Sequence, residues 1–206
     1  MDKDDDDKRI RNHIILAPNE EYKQKVFKFM ELSMQRRKKI MLLTQKNTNF
    51  TDGLQKQFPT TPIHLLIKVL FNRIEQAPTR LAELSGCTPR PDVVIFDMES
   101  LIGELLSRPI LQQWDRQTTV RLIARLSAAF SNYSEVLHLC VPTKIVDCIV
   151  IMPKDPYPLT ATQFRLLYGL YFIRFKVYTS FDEIDEVLRE QHERQLRKEK
   201  ERKFKS

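Results

Sequence analysis

Glycine is scarce in this chain. There are four in 206 residues, Gly53, Gly86, Gly103 and Gly169. None stands in G-x-G-x-x-G or G-x-x-x-x-G-K spacing, so no glycine-rich phosphate loop is expected. Cysteine is also rare: Cys87, Cys140 and Cys148 are odd in number and widely spaced. That pattern argues against a disulfide scaffold and for a reducing compartment. No run approaches the ~18 apolar residues that would span a bilayer. The N-terminus, MDKDDDDK, is acidic. It has neither a secretory pattern nor that of a mitochondrial transit peptide. It resembles a protease-site tag and is left out of the fold reasoning.

Catalytic and metal-binding patterns are missing as well. His13, His64, His138 and His192 are scattered. His138 and Cys140 are two residues apart and would point to different sides of a helix, which suits neither a zinc site nor a Cys–His pair. No G-x-S-x-G or H-E-x-x-H motif occurs. The sequence therefore predicts no enzyme, no cofactor and no metal.

What is present is charge and helical punctuation. Charged residues make up 30%, the net charge is +7 and the sequence pI is about 9.3. The excess charge lies largely at the two ends. It suits either a solvated basic surface or proximity to nucleic acid. Thr160 with Gln163, and Ser180 with Glu183, have the spacing of capping boxes. Between them Phe164, Leu166, Leu167, Tyr168, Leu170, Tyr171, Phe172, Ile173 and Phe175 surround a helix on every side. Such a helix must be buried all round, by other helices or by a partner.

Periodicity predicts further helices. One runs from about 19 to 46, on Tyr22, Val26 and Met30 with Phe27, Phe29 and Met34. Thr61-Pro62 opens another to about Gln76 on Ile63, Leu66, Ile67, Leu70, Phe71 and Ile74. A short piece covers Thr79–Leu84, before Gly86. Residues 92–96 fit a short strand, and Asp97 reads as the cap of a helix to Ser107. Thr118 to Phe130 is a strong helix, continued by Ser134 to Cys140. Residues 142–151 fit a buried helix or a strand, with helix favoured by Pro142 and the neighbouring pattern.

The fold expected is all-α, an irregular multi-helix bundle with a long basic C-terminal helix. Its divisions are a polar, disordered tail at 1–18, a helical segment at 19–87, a helical core at 92–188 and a basic helical tail at 189–206. From Arg189 onward there are eight basic and four acidic residues. That stretch would be a solvated helix supported by pairs such as Glu190 with Arg194 and Glu193 with Arg197.

Two basic segments are candidates for the nucleic-acid backbone: Arg36, Arg37, Lys38 and Lys39, and Arg194, Arg197, Lys198 and Arg202. Both also suit plain solvated helix faces. Asp182, Glu183, Asp185 and Glu186 read as complements to a helix dipole rather than as chelators. Trp114 reads as a core anchor rather than a base-stacking platform. The Tyr168, Tyr171 and Phe172 cluster is either core or a groove for a partner helix.

One segment carries a family resemblance. Pro156-Tyr157 leads to Gln163-Phe164-Arg165, then to Leu167-Tyr168-Gly169-Leu170-Tyr171. Lys176-Val177-Tyr178 then runs into Asp182-Glu183-Ile184-Asp185-Glu186-Val187-Leu188. In order and rough spacing this resembles the first subunit of the small nuclear RNA-activating protein complex. The resemblance covers about 35 residues, its inter-helix connector is shorter than in that family, and the first 90 residues match nothing in it.

The resemblance implies a nuclear, non-enzymatic scaffold subunit. It would help hold a transcription factor on the proximal promoter element of small nuclear RNA genes, for RNA polymerases II and III. Partners would be the other subunits and promoter DNA, with neither a membrane nor a small-molecule substrate. The implied partner interface is Phe164, Leu167, Tyr168, Leu170, Tyr171, Phe172, Ile184 and Leu188. The alternative is a structural subunit of a ribonucleoprotein, lying on RNA phosphates.

Overall fold

The computed structural model describes residues 12–17, 22–46, 50–84, 90–107, 116–140, 146–153, 159–190, 193 and 197. Six strands form one sheet in the order β3-β2-β4-β5-β1-β6. They are β1 (Asn12–Ala17), β2 (Ile40–Gln45), β3 (Leu66–Phe71), β4 (Val93–Asp97), β5 (Asp147–Pro153) and β6 (Phe175–Tyr178). Every neighbouring pair is parallel. The helices are α1 (Tyr22–Gln35), α2 (Phe50–Gln57), α3 (Ala77–Leu84), α4 (Met98–Ser107), α5 (Arg116–Cys140) and α6 (Ala161–Tyr171). A seventh, α7, runs over 181–190.

The fold class is therefore parallel α/β, not the expected all-α bundle. A parallel sheet is covered on both faces, so its strands read as short continuous apolar runs. IMLLTQ, VVIFD and most of DCIVIMP are buried residue after residue. Successive side chains still alternate between two separate cores. Val94, Phe96, Cys148 and Val150 join α3, α4, α5 and α6 on one face. Val93, Ile95, Ile149 and Ile151 join α1, α2 and α7 on the other. On the first face the Phe96 and Phe130 rings stack at 4.5 Å.

Several expected elements change type for the same reason. The helix expected over 61–76 is a 3-10 turn, β3 and a second 3-10 turn. The first helix ends at Gln35, and β2 fills the rest of its expected range. Residues 147–153 are strand. The aromatic helix stops at Tyr171, and Phe175 begins β6. Residues 12–17 form an inner strand of the sheet. Each run is four to seven residues long, too short for periodicity to tell strand from buried helix. The short strand weighed at 92–96 is β4, and residues 116–140 form one helix across both expected pieces.

The caps behave more locally. Thr160 Oγ1 accepts from Gln163 N at 3.2 Å, and the Gln163 side chain accepts from Thr160 N at 2.9 Å. This is the full reciprocal box. At α7, Ser180 Oγ accepts from Glu183 N at 3.3 Å, but the Glu183 carboxylate reaches back to Thr179.

Candidate functional site

In an open parallel sheet, ligands bind outside the carboxyl ends of the strands, where neighbouring connections part. Here β1 and β5 lie side by side. The chain leaves β1 through α1 toward β2, three places away, and leaves β5 through α6 toward β6 on the far side of β1. Helix α1 covers one face and α6 the other.

Asp97, the last residue of β4, stands at the carboxyl edge and is fully buried. Its Oδ2 accepts from Thr44 Oγ1 at 3.0 Å, and its Oδ1 from Ser100 N at 3.1 Å. The second contact makes Asp97 the cap of α4, as the sequence predicted. Tyr22, the first residue of α1, reaches Oδ1 with its hydroxyl at 3.4 Å, the long end of hydrogen bonding. Thr44 Oγ1 and Ser100 Oγ are 3.1 Å apart.

The electrostatics are out of balance. Burial pushes the Asp97 carboxyl above its ordinary range, although Ser100, Thr44 and Lys23 pull the other way. Burial, and then the charge of Asp97, likewise raise Glu99 two residues on. Burial and the same two carboxylates raise the Tyr22 hydroxyl. Glu99 Oε2 is buried with no hydrogen-bond partner among the described residues. Lys23, exposed on the first turn of α1, is the cation that acts on both carboxylates. No group of three or more His, Cys, Asp or Glu among the described residues could by itself hold a metal.

None of these residues was proposed as a site from sequence. The usable signal was the four-residue apolar run Val93–Phe96 ending in Asp97 and Glu99, which is a buried strand emerging at a carboxylate. The residues that the sequence did single out lie elsewhere. Leu167, Phe172, Ile184 and Leu188 are buried, and Phe164, Tyr168 and Tyr171 pack partly against the core. Leu170 alone among them is exposed. Leu167 and Phe172 lie on one face of the sheet, and Ile184 and Leu188 on the other.

The first basic cluster sits at the amino edge. Arg36 forms a two-pronged pair with Asp185 at 2.8 and 3.1 Å. Lys38 Nζ is 3.6 Å from Asp147. Arg37 and Lys39 are exposed, and Arg37 adopts a left-handed backbone with φ 60°. Arg197 meets Glu193 at 3.8 Å. Arg194, Lys198, Arg202 and Trp114 lie outside the described residues.

No family model matches this chain, and no curated protein matches it. Among solved structures, the RadB recombinase is similar over 74% of this chain and 67% of its own, with TM-score 0.42 and 10% identity. The flagellar accessory protein FlaH from Methanocaldococcus jannaschii is similar over 82% of this chain and 74% of its own, with TM-score 0.38 and 16% identity.

The resemblance to the small nuclear RNA-activating complex subunit is overturned. Of the residues that carried it, Pro156 and Tyr157 lie outside the described residues, and the rest form a crossover helix, an edge strand and a packed helix of a parallel sheet. The transcription-scaffold function and the ribonucleoprotein alternative both rested on the helical bundle and go with it. So does the expectation of a chain without enzymatic activity, which was read from the same all-α pattern.

Proposed function

We propose that this protein binds a phosphorylated ligand of the nucleotide class, together with a divalent cation, at the carboxyl edge of its sheet. The observation that carries this reading is the under-neutralised pair of Asp97, fully buried, and Glu99, half-buried, beside the first turn of α1. Two carboxylates with the Thr44 and Ser100 hydroxyls are hard oxygen donors. Mg2+ is commonly held by one or two carboxylates plus the phosphates it accompanies. The cation would supply the charge that this edge lacks. A first helical turn leaves its backbone N–H groups without intrahelical partners, and with the exposed Lys23 that of α1 suits the phosphates themselves.

The Tyr22 hydroxyl lies over Asp97 through a long hydrogen bond, a contact readily exchanged for a ligand. In place of a glycine-rich loop the chain has Pro18-Asn19-Glu20-Glu21 between β1 and α1. Phosphate contacts would therefore come from the helix end and Lys23.

Titration of a fluorescent ATP analogue, with and without Mg2+, tests this reading. Binding that needs Mg2+ and falls at least roughly ten-fold in Asp97→Asn is the expected result, as for loss of a charged ligand contact. No binding at millimolar nucleotide, or equal binding by Asp97→Asn, overturns it.

A further inference from the structure

The carboxylate of Asp97 is covered by donors that are not held alike. A carboxylate has about four acceptor sites on its two oxygens. Three donors among the described residues use them: Thr44 Oγ1 on Oδ2 at 3.0 Å, and Ser100 N and the Tyr22 hydroxyl on Oδ1 at 3.1 and 3.4 Å. Thr44 is fully buried in β2, the strand beside β4. Ser100 N belongs to the first turn of α4 and is fixed by the cap. Tyr22 comes from elsewhere, the start of α1, 75 residues away in the chain.

Packing, more than this hydrogen bond, sets where Tyr22 lies. Its ring belongs to the core that also holds Ile15, Val26 and Ile151. Its hydroxyl stops well short of the ~2.7–2.8 Å of a usual O–H···O bond. Of the three donors it is the one most easily exchanged. Lys23, the next residue, has its Nζ 6.0 Å from the centroid of the Tyr22 ring and acts on both Asp97 and Glu99. Two consecutive residues of one helical turn thus supply the longest bond to Asp97 and a counter-charge for the carboxylate pair. Helix ends fray, so a first turn is the part of a helix that shifts most readily.

We propose that Tyr22 is a latch on this site: its hydroxyl holds the position on Asp97 Oδ1 that a divalent cation takes, and yields it when the cation binds. The inference rests on the reading of the carboxyl edge as a cation site and adds the residue that regulates it. In the free protein the hydroxyl satisfies part of a buried carboxylate, and Lys23 balances part of its charge. Both oppose the cation, the first by position and the second by repulsion. Release of Tyr22 shifts the first turn of α1, the turn that suits the phosphates. Cation and phosphate binding are therefore coupled through this turn.

The probe is Mn2+ alone, which takes the same oxygen donors as Mg2+. Its free concentration is read by paramagnetic resonance in the presence of the full chain. Tyr22→Phe removes the hydroxyl and keeps a ring in the core. It should bind Mn2+ roughly five-fold more tightly than the wild-type chain, the scale of one weak hydrogen bond lost from the free state. A tyrosine that served only packing would leave the affinity unchanged or lower it. Mn2+ should also produce a tyrosine ultraviolet difference spectrum in the wild-type chain, a readout that needs no variant. Tyr22→Phe should lack that signal although the other tyrosines remain.

Equal or weaker Mn2+ binding by Tyr22→Phe, or no tyrosine signal from the wild-type chain, overturns the latch and leaves the cation site standing. Mn2+ binding that Asp97→Asn does not reduce places the ion elsewhere and overturns both. No Mn2+ binding by either protein overturns the latch, and the cation site then stands or falls with the nucleotide titration.

Discussion

The two edges of the sheet hold similar polar residues and treat them differently. At the amino edge the charges are matched. Buried Asp147 has Lys38 Nζ at 3.6 Å, and the ring of His13 lies 4.0 Å from it with neither nitrogen hydrogen-bonded among the described residues. Arg36 grips Asp185, and the Asp92 carboxylate accepts from Lys39 N at 2.7 Å. Main-chain bonds from Asp92 and Val93 to Lys39, and from Asp147 to Asp92, close the strand starts. At the carboxyl edge two acidic groups stand together, with hydroxyls and one exposed lysine for company. A buried charge balanced by its own chain holds the fold together. One left short of counter-charge is the reason the carboxyl edge is the candidate site.

The largest effect should come from breaking the matched edge. Asp147→Ala leaves Lys38 without its buried carboxylate and should cost about 3 kcal/mol in a urea melt. A loss under about 1 kcal/mol would mean that the two edges do not differ in this way.

Asp97→Asn at the other edge should act mainly through pH. The folded carboxyl of Asp97 is raised by burial, so the native state holds a proton that the unfolded chain releases near its ordinary value of about 3.9. Stability from this group is complete below that value and is lost as pH rises toward the raised folded value. The slope can reach about 1.4 kcal/mol per pH unit for one proton. The wild-type chain should therefore lose stability across this window relative to Asp97→Asn, as urea melts at stepped pH would record. Parallel curves for the two proteins would place Asp97 among ordinary surface acids.

The smallest effect concerns α6, whose N-terminus starts from the carboxyl-edge side. Thr160→Ala removes half of the reciprocal box and should cost about 1 kcal/mol. Thermal melts of the two proteins measure it.

Capping was legible in the sequence because it involves residues three apart. Thr160 with Gln163 needed no distant partner to be recognised. The amphipathic face of α1, on Tyr22, Val26, Phe29 and Met30, was legible for the same local reason. The strands were not. NHIILA looked like the end of a polar tail, and LIKVLF looked like part of a helix. Their type depends on neighbours across the sheet, as with Ile14 opposite Val150 and Leu42 opposite Ile95. The aromatic segment misled in a specific way. Its apolar residues surrounded a helix only when the segment was read as one element. Split at Phe172, it becomes a helix with one side on the core and the other exposed, followed by an edge strand.

The candidate site was hidden for a further reason. Tyr22, Thr44 and Asp97 are 75 and 53 residues apart in hydrogen-bonded pairs, so no spacing rule could join them. The sequence by itself determined the Thr160 capping box, the apolar face of α1 and the absence of a glycine-rich loop, since each rests on residues within a few positions of one another. Only the tertiary structure decided that the apolar runs are parallel strands, because backbone pairing and burial on both faces are long-range events. The same structure brought two carboxylates to an edge without their counter-charge and left Leu166, Leu170 and Ile173 facing outward.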